Sequence, residues 1–419
     1  MEPPVRIENR AQLIYLLTEA AELEHGIMCC YLFSAFSMKR DSKEGLTEKQ
    51  LDAVERWRGT ILQIAIEEMV HMSLACNLLT SVGGAPHLRR PNLPANPKAY
   101  PPTFRLELAP FGRQSLESFV FLERPENQEP GPGLTGNQNL PLLMPGRFSD
   151  IFSSERQYQT VGHLYRGIED GLRYLTQKYG EDGLFIGPRE AQIADDYFSL
   201  PGLIPVTDLA SAVAAIEGIV EQGEGARMGD EQSHHGRFLA ISQEYDELLA
   251  EDPNFEPGRP VLRNPYAMFP NDIDEHREVN LIEDPSSMDM CNLFDGCYEL
   301  LMQMLGRVLL HQEETEEQLI LLSDLTVGMM IDVIGPLGET LTTLPAGTSY
   351  QGLNAGPSFR FSRDVAMLPH QTSAWVLLSE RLRELAAFCG FIETEGEVAS
   401  TVASVRRCLL QYAEKLTAT

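Results

Sequence analysis

Apolar residues recur along this chain at the three- and four-residue spacing that is typical of α-helices. The spacing predicts two long helices near the beginning, at residues 12–38 and 48–81. Two shorter helices are predicted at residues 208–224 and 230–249. Each pattern places its apolar residues on one face, so we expect the four helices to pack into a bundle with a common core. The predicted fold class is therefore mainly α.

Acidic and histidine side chains lie on these apolar faces. Glu68 and His71 belong to the same face as their apolar neighbours, which are Ile61, Ile64, Ala65, Met72 and Ala75. Glu24 lies on the apolar face of the first helix. An ionised carboxylate in an apolar core is costly unless something pairs with it. A Glu-x-x-His pair that faces the core is half of the ligand set of a di-metal carboxylate bundle.

The later helices repeat this pattern. Glu231 and His234 form a second Glu-x-x-His, and the preceding helix carries three glutamates at helical spacing, which are Glu217, Glu221 and Glu224. The short loop at residues 225–229 predicts an antiparallel hairpin. Mirroring about this loop places Glu221 level with the second pair, and Glu224, nearer the helix end, is the alternative.

The predicted metal ligands are Glu24, Glu68, His71, Glu221, Glu231 and His234. Carboxylates can bridge two metal ions and imidazole suits iron and manganese, so we expect two iron ions per chain, with manganese as an alternative. Six donors leave positions open for O2 as a co-substrate. Other residues could replace or support these ligands or face the substrate. They are His25, Glu217, Glu224, His163, and His235, which could take the place of His234.

A long crossover insertion, residues 86–206, separates the two halves of the bundle. Its beginning is rich in proline, and it contains an alternating stretch that predicts a strand at 104–108 and helical patterns at 114–122 and 154–179. Connections of this length are uncommon in compact domains unless they are functional. We therefore predict that the crossover covers the bundle and shapes a substrate pocket, with a purely structural belt as the alternative.

The chain divides into three predicted parts. Residues 1–251 form the di-metal bundle, residues 252–287 form a proline-rich linker, and residues 288–419 form a helical C-terminal region. Within the last part, helices are predicted at 288–311, 314–334, 373–389 and 395–417, with a loop at 335–364. The C-terminal region has no Glu-x-x-His pair, so we expect it to serve packing, pocket formation or assembly into a homo-oligomer.

Composition narrows the classes of partner. The net charge is −28, with 33 Lys and Arg against 61 Asp and Glu, and such a surface repels nucleic acid. The sequence has no run of about 18 apolar residues, so no membrane span is expected. The first residues lack a basic stretch followed by an apolar one, so no secretory signal is expected. Seven cysteines without a Cys-x-x-Cys motif favour a reducing, cytoplasmic location.

Several segments together resemble one known family. They are Glu22-Leu23-Glu24-His25, Glu67-Glu68-Met69-Val70-His71-Met72, Glu221-Gln222-Gly223-Glu224-Gly225, Ser233-His234-His235, Thr160-Val161-Gly162-His163-Leu164-Tyr165 and Ala355-Gly356-Pro357-Ser358-Phe359. In these segments the chain resembles the ferritin-like domain of the imine-coupling enzymes of the violacein and chromopyrrolate pathways. That family is often named iminophenyl-pyruvate dimer synthase, and the resemblance covers roughly residues 10–250.

The resemblance implies a non-haem iron oxidoreductase of secondary metabolism that uses O2. Its substrate would be a small amino-acid-derived imine, joined by oxidative coupling and supplied by a pathway partner enzyme. Two other classes stay open from the residues alone. One is a ferritin-like metal-handling protein, such as a ferroxidase or an iron store. The other is a non-catalytic helical scaffold whose Glu and His pairs are buried salt bridges.

Overall fold

The structure is a computed structural model that describes residues 5–95, 105–125, 158–194, 200–223, 230–268, 279–311, 313–363, 365–392 and 396–418. Helices make up most of it. They are α1 Arg10–Ser37, α2 Glu48–Ser81, α3 Arg113–Leu122, α4 Val161–Tyr179, α5 Glu181–Leu184, α6 Leu209–Gly223, α7 His234–Glu251, α8 Pro285–Leu309, α9 Glu316–Gly328, α10 Gly335–Leu341, α11 Gln371–Phe388 and α12 Gly396–Ala418. Two short strands, β1 Pro265–Tyr266 and β2 Asn280–Leu281, pair in parallel. The mainly α prediction is confirmed.

The two long helices α1 and α2 pack side by side and form the centre of the bundle. Asn9 caps α1 by accepting a hydrogen bond from the Gln12 backbone N–H. Thr47 and Gln50 form a reciprocal capping box at the start of α2. Because these caps satisfy backbone donors that have no partner inside the helix, both helices begin at defined residues and hold their inward side chains in a fixed register.

The helices α6 and α7 are successive segments that run antiparallel to α2. Ile204, before α6, accepts from Asn77 Nδ2 at 3.0 Å, and Gln222, at the end of α6, contacts His71 Nε2 at 2.9 Å. Further along, α7 begins beside Glu67 with His234 and ends with Glu251 beside Lys49. The two helices therefore form one interrupted arm, and the predicted antiparallel hairpin between them is wrong.

The helices α3 and α4 form a second interrupted arm, which runs antiparallel to α1. Phe111, before α3, donates its backbone N–H to Ser37 Oγ at 2.7 Å, and the Phe119 ring lies 4.7 Å from the Tyr31 ring. At the far end of α4, Lys178 Nζ donates to the Glu8 carbonyl at 2.7 Å. The crossover helix α4 is thus a member of the bundle, packed between α1 and α6.

Both arms are interrupted at the same level of the bundle. The α3–α4 arm breaks beside the middle of α1, and the α6–α7 arm breaks beside the middle of α2. Helix ends carry backbone groups and side chains that are not committed to a helical ladder. The interruptions therefore bring helix termini, in place of continuous helix faces, towards the centre of the core.

One stretch of the crossover was predicted as a strand, at residues 104–108, and this prediction is wrong for its described part. Leu106 and Leu108 are buried, but their backbone groups pair with separate partners. Leu106 O accepts from Ala95 N at 2.9 Å, and Leu108 N donates to Asn264 Oδ1 at 2.8 Å. The alternation reflects burial of one side of the segment, and no strand of the described residues pairs with it.

The C-terminal helices pack on α1 and on one another. α10 contacts α1, α8 and α12, although residues 335–364 were predicted as a loop. A π-helical turn, Met329–Ile334, joins α9 to α10, and Pro336 lies in the first turn of α10. Proline is tolerated there because the first N–H groups of a helix lack an intrahelical acceptor. The proline that indicated a break therefore begins a new helix.

The segment Glu316–Leu341 is long and apolar enough to cross a membrane, by length and composition alone, with a mean hydropathy of 1.7 in its most apolar window. Its parts pack against α8 and α12. In the structure, 44% of that window is buried, and a single segment of this kind is weak evidence for a membrane span.

Asp295, in α8, gives a prediction about pH. It accepts hydrogen bonds from Ser358 Oγ and from the Arg360 backbone N–H, at 3.2 Å for the latter. Burial nevertheless raises its pKa to about 7. Since the unfolded pKa is about 3.9, the folded state holds the extra proton, and stability falls with rising pH by about 1.4 kcal/mol per unit between about pH 4 and 7.

In the isosteric Asp295→Asn variant this decrease of stability with rising pH should be absent, because asparagine does not titrate. Chemical denaturation of both proteins across this pH range gives the two free energies of unfolding. We expect the variant to gain stability relative to the parent as pH rises, by a total on the order of 4 kcal/mol. Parallel pH curves would show that folding does not raise the pKa of Asp295.

Candidate metal centre

Three inward side chains of the long helices meet at the level where both arms break. Glu24 comes from α1, and Glu68 and His71 come from α2, one turn apart. Each of the three is no more than 2% exposed. Their burial follows from the register of the two helices, because the apolar stripes that contain them face each other across the bundle core.

The arms contribute Glu123 and His234 to the same place. Glu123 is the C-cap residue of α3, and His234 is the first residue of α7. Ser233 begins α7 by accepting a hydrogen bond from the Gly236 backbone N–H. Gly236 is required here, because a Cβ at this position would lie 2.1 Å from the Asp230 carbonyl oxygen. We call Glu24, Glu68, His71, Glu123 and His234 the Glu–His cluster.

The carboxylate of Glu68 lies between the two imidazole rings. Its Oε2 is 3.0 Å from His71 Nδ1, and its Oε1 is 2.8 Å from His234 Nδ1. The two rings stack at a centroid distance of 5.4 Å. One potential ligand atom from each of the three residues lies within 4.8 Å of the others. Glu123 Oε2 lies 3.7 Å from His234 Nδ1. This is a compact set of oxygen and nitrogen donors.

Each imidazole also contacts an acceptor on its outer side. His71 Nε2 lies 2.9 Å from Gln222 Oε1, and His234 Nε2 lies 2.9 Å from Glu67 Oε2. An imidazole that donates Nε2–H outwards presents its Nδ1 lone pair to the centre, which is the usual arrangement of a metal-ligating histidine. The Tyr31 hydroxyl donates to Glu123 Oε1 and so orients that carboxylate.

Two buried polar atoms at this centre make no well-aligned hydrogen bond to the described residues. They are Glu24 Oε1 and the Tyr165 hydroxyl. An unsatisfied buried polar atom costs about 1–3 kcal/mol. Glu24 and Tyr165 line a cavity of about 10 Å³ together with Glu68, His71 and Glu123, which is room for one water-sized occupant. A cation in this place would be coordinated by the lone pairs of these buried oxygen and nitrogen atoms, so the residues fit a metal.

The electrostatics of the cluster also favour a cation. Burial, with the charges of Glu68 and Glu123, raises the pKa of Glu24 well above its usual value. Burial also opposes ionisation of Glu68, but the nearby His234 and His71 outweigh it and lower the pKa of Glu68. The pKa of His234 is raised by Glu68, Glu123 and Glu67 against the effect of burial. A cation at the centre would interact with the same carboxylates that raise the pKa of His234.

The structure brings together four of the six predicted ligands, which are Glu24, Glu68, His71 and His234. It does not bring Glu221 or Glu231 to the cluster, and both are exposed. Helix α7 begins at His234, so Glu231 lies in the preceding turn and cannot form a helical pair with it. In α6 the buried face contains Ile216, Ile219 and Gly223, which leaves Glu217 and Glu221 on another face.

The other predicted candidates lie apart from the cluster or outside the described residues. Glu224 is outside them. His25 is buried, but its Nδ1 contacts the Leu88 carbonyl at 2.8 Å and its Nε2 contacts the Tyr298 hydroxyl. His235 Nδ1 lies 3.2 Å from the Val120 carbonyl, and His163 Nδ1 accepts from Gln159 N at 3.4 Å. These contacts hold the three rings against neighbouring segments of the fold.

Sequence reasoning missed Glu123. A signal was present, because Leu116 and Phe119 precede Glu123 by seven and four residues, which places all three on one helical face. Glu67 and Gln222, the acceptors for the two imidazoles, carried no such signal. Both extend from the edges of their helices, where sequence patterns also place solvent-exposed polar residues.

Comparison with known proteins identifies the family and the fold. Residues 17–243 match the family model described as Ferritin-like. A crystal structure at 1.95 Å resolution of a ferritin like protein from Caulobacter vibrioides has the same fold, with a TM-score of 0.50 and 17% identity. The similarity covers 85% of this chain and 100% of that one.

Two curated relatives are longer proteins. Dichlorochromopyrrolate synthase from Lentzea aerocolonigenes is 29% identical over 91% of this chain and 39% of its own length. The 2-imino-3-(indol-3-yl)propanoate dimerase from Chromobacterium violaceum is 27% identical over 84% of this chain and 34% of its own length. The chain thus spans less than half the length of either relative. Both names are those of enzymes, and the resemblance predicted from the sequence is confirmed.

Proposed function

We propose that this chain, which belongs to the ferritin-like family, is a metal-dependent enzyme that uses O2 to couple small amino-acid-derived imines in secondary metabolism. The observation that carries the proposal is the Glu–His cluster. In it Glu68 lies between two imidazoles, and the buried oxygen atoms of Glu24 and Tyr165 line a cavity of ion size. Iron, or manganese in its place, suits this mixture of carboxylate and imidazole donors.

Each residue of the cluster has a distinct role in this proposal. Glu24, Glu68, His71, Glu123 and His234 would hold the metal, which when bound supplies the redox and Lewis-acid chemistry that these side chains lack. Glu67 and Gln222 fix the two rings, and Tyr31 fixes Glu123. The Tyr165 hydroxyl lies beside the Glu24 carboxyl and lines the same cavity, so it can donate to Glu24 or to a group in the cavity.

The remaining wall of the cavity is apolar and limits the entry of water. It consists of Ile27, Val161, Ile219 and Val220, with the glycines Gly162 and Gly223 between them. Electrostatic interactions are stronger in a site from which water is excluded.

The names of the two relatives support the substrate class. One is a dimerase of 2-imino-3-(indol-3-yl)propanoate, and the other is a synthase of dichlorochromopyrrolate. Joining two such imines by one carbon–carbon bond removes one hydrogen atom from each molecule. Two electrons and two protons must therefore reach an oxidant, and reduction of O2 to H2O2 balances the reaction.

The proposal can be tested by making the imine in the assay. An amino-acid oxidase converts tryptophan or phenylalanine to its 2-imino acid, catalase removes the H2O2 of that step, and mass spectrometry detects coupled products. We expect a product with the mass of two imines less two hydrogen atoms from the iron-loaded chain. We expect none from the Glu68→Gln variant and an unchanged yield from the exposed-site control Glu231→Gln. Equal yields from all three proteins would contradict the proposal.

A further inference from the structure

A second and larger cavity lies between the bundle and the C-terminal helices. It has a volume of about 640 Å³, within the range of about 300–1,000 Å³ that is typical of small-molecule sites. Met69 and Met72 line it, each one position after a residue of the Glu–His cluster, so they project from another face of α2. The two cavities share no lining residue among those described. We call this space the methionine cavity.

The wall of the methionine cavity is apolar and adaptable. Five methionines line it, contributed by α1, α2, α8 and the π-helical turn, and they are Met28, Met69, Met72, Met302 and Met330. Methionine side chains are unbranched and polarizable, so they fit apolar groups of differing shape. The π-helical turn contributes Met330, Ile331 and Ile334, and such turns are frequent at functional sites.

Charged side chains occur at one end of this cavity, and two of the three are cationic. They are Arg40, Arg58 and Glu339, and both guanidiniums contact the single carboxylate. The Arg58 side chain is 17% exposed, and its Nε is buried without a hydrogen-bond partner among the described residues. Burial and the nearby Arg40 and Arg259 lower the pKa of Arg58 to about 10. Among the charged side chains that line the cavity, two guanidiniums thus share one carboxylate.

We propose that the methionine cavity binds a small monocarboxylate with an apolar body. The carboxylate lies at Arg58 and Arg40, the two cationic side chains of the cavity wall. The apolar body lies among the methionines, where it is shielded from water. Arginine suits this role because its planar guanidinium matches a carboxylate. The site is separate from the Glu–His cluster and does not depend on the function proposed for it.

Calorimetry on the full chain tests the site with two acids, 3-phenylpropionate and decanoate, and with the neutral amide of each. We expect at least one acid to bind at least about tenfold more tightly than its amide. Tighter binding of 3-phenylpropionate would identify an aryl carboxylate as the ligand class, and tighter binding of decanoate would identify an aliphatic one. Failure of both acids to bind, or equal binding of acid and amide, would overturn the proposal.

Two variants and one control locate the binding site. Arg58→Met, or Arg40→Met if the first fails to fold, should remove the preference for the acid over the amide. Arg56→Met is the control, since Arg56 is exposed and pairs with Glu244 outside the cavity. Chelator-treated protein should bind the acid as tightly as metal-loaded protein, which separates this site from the metal centre. Unchanged affinity in the Arg58 and Arg40 variants would overturn the proposal.

Discussion

Replacing Glu68 with alanine is expected to abolish metal binding while the chain stays folded. The Glu68 carboxylate lies within 3.0 Å of both imidazoles, so its removal takes away the central oxygen donor of the cluster. We expect metal affinity to fall by more than about 100-fold, since loss even of a group that only orients a ligand costs about 10- to 100-fold. Elemental analysis after gel filtration gives the metal content, and His71→Ala should behave in the same way.

The control for this experiment lies on the same helix. Glu55 is an exposed glutamate of α2, far from the cluster in sequence, so Glu55→Ala should retain its metal. Far-ultraviolet circular dichroism and thermal unfolding verify that all variants are folded. A Glu68→Ala protein that keeps the metal content of the parent would show that the Glu–His cluster is not the metal centre.

Replacing Glu123 with alanine is expected to weaken metal binding by about 10- to 100-fold. Glu123 is buried, is held by Tyr31 and lies 3.7 Å from His234 Nδ1, although its position in the sequence is far from both Glu-x-x-His patterns. Tyr31→Phe should cause a smaller loss, because it removes the hydrogen bond that orients Glu123 and leaves the carboxylate in place. Titration of the apo-protein with Fe²⁺ under anaerobic conditions gives the affinities.

Two matched variants distinguish the arrangement in the structure from the one that the sequence pattern predicts. Glu221→Ala and Glu231→Ala remove exposed glutamates and should leave Fe²⁺ affinity unchanged. If these two variants lose the metal and Glu123→Ala keeps it, the ligand set is the one predicted from the sequence and the arrangement described here is incorrect.

The sequence predicted the half of the site that lies on continuous helices. Glu24, Glu68 and His71 were identifiable because α1 and α2 keep a helical period over their whole length, and a polar residue on an apolar stripe stands out. His234 was identified through a Glu-x-x-His pair with Glu231, but Glu231 precedes α7, so the two residues do not form a helical pair. Glu123 was missed because its helix is short and belongs to the crossover, which carried no repeat of the pattern.

The arrangement of the arms could not be derived from the sequence. A short connection between two helices, such as residues 225–229, usually reverses the direction of the chain. The antiparallel hairpin was predicted for this reason. Here α7 continues along α2 from the point where α6 ends, because each helix has its own set of partners there. α6 packs on α4, and α7 packs on α3. Only these tertiary contacts decide between reversal and continuation.

The measurement that tests the metal centre most directly is the metal content per chain, determined by elemental analysis on protein expressed with iron and manganese both available. The Glu–His cluster predicts bound iron or manganese in the parent, with about two ions per chain if the centre is a di-metal carboxylate site, and none in the Glu68→Ala variant prepared in parallel. Absence of both metals from the parent, repeated after anaerobic reconstitution with Fe²⁺, would contradict the account and would favour a scaffold in which the Glu–His contacts are buried ion pairs.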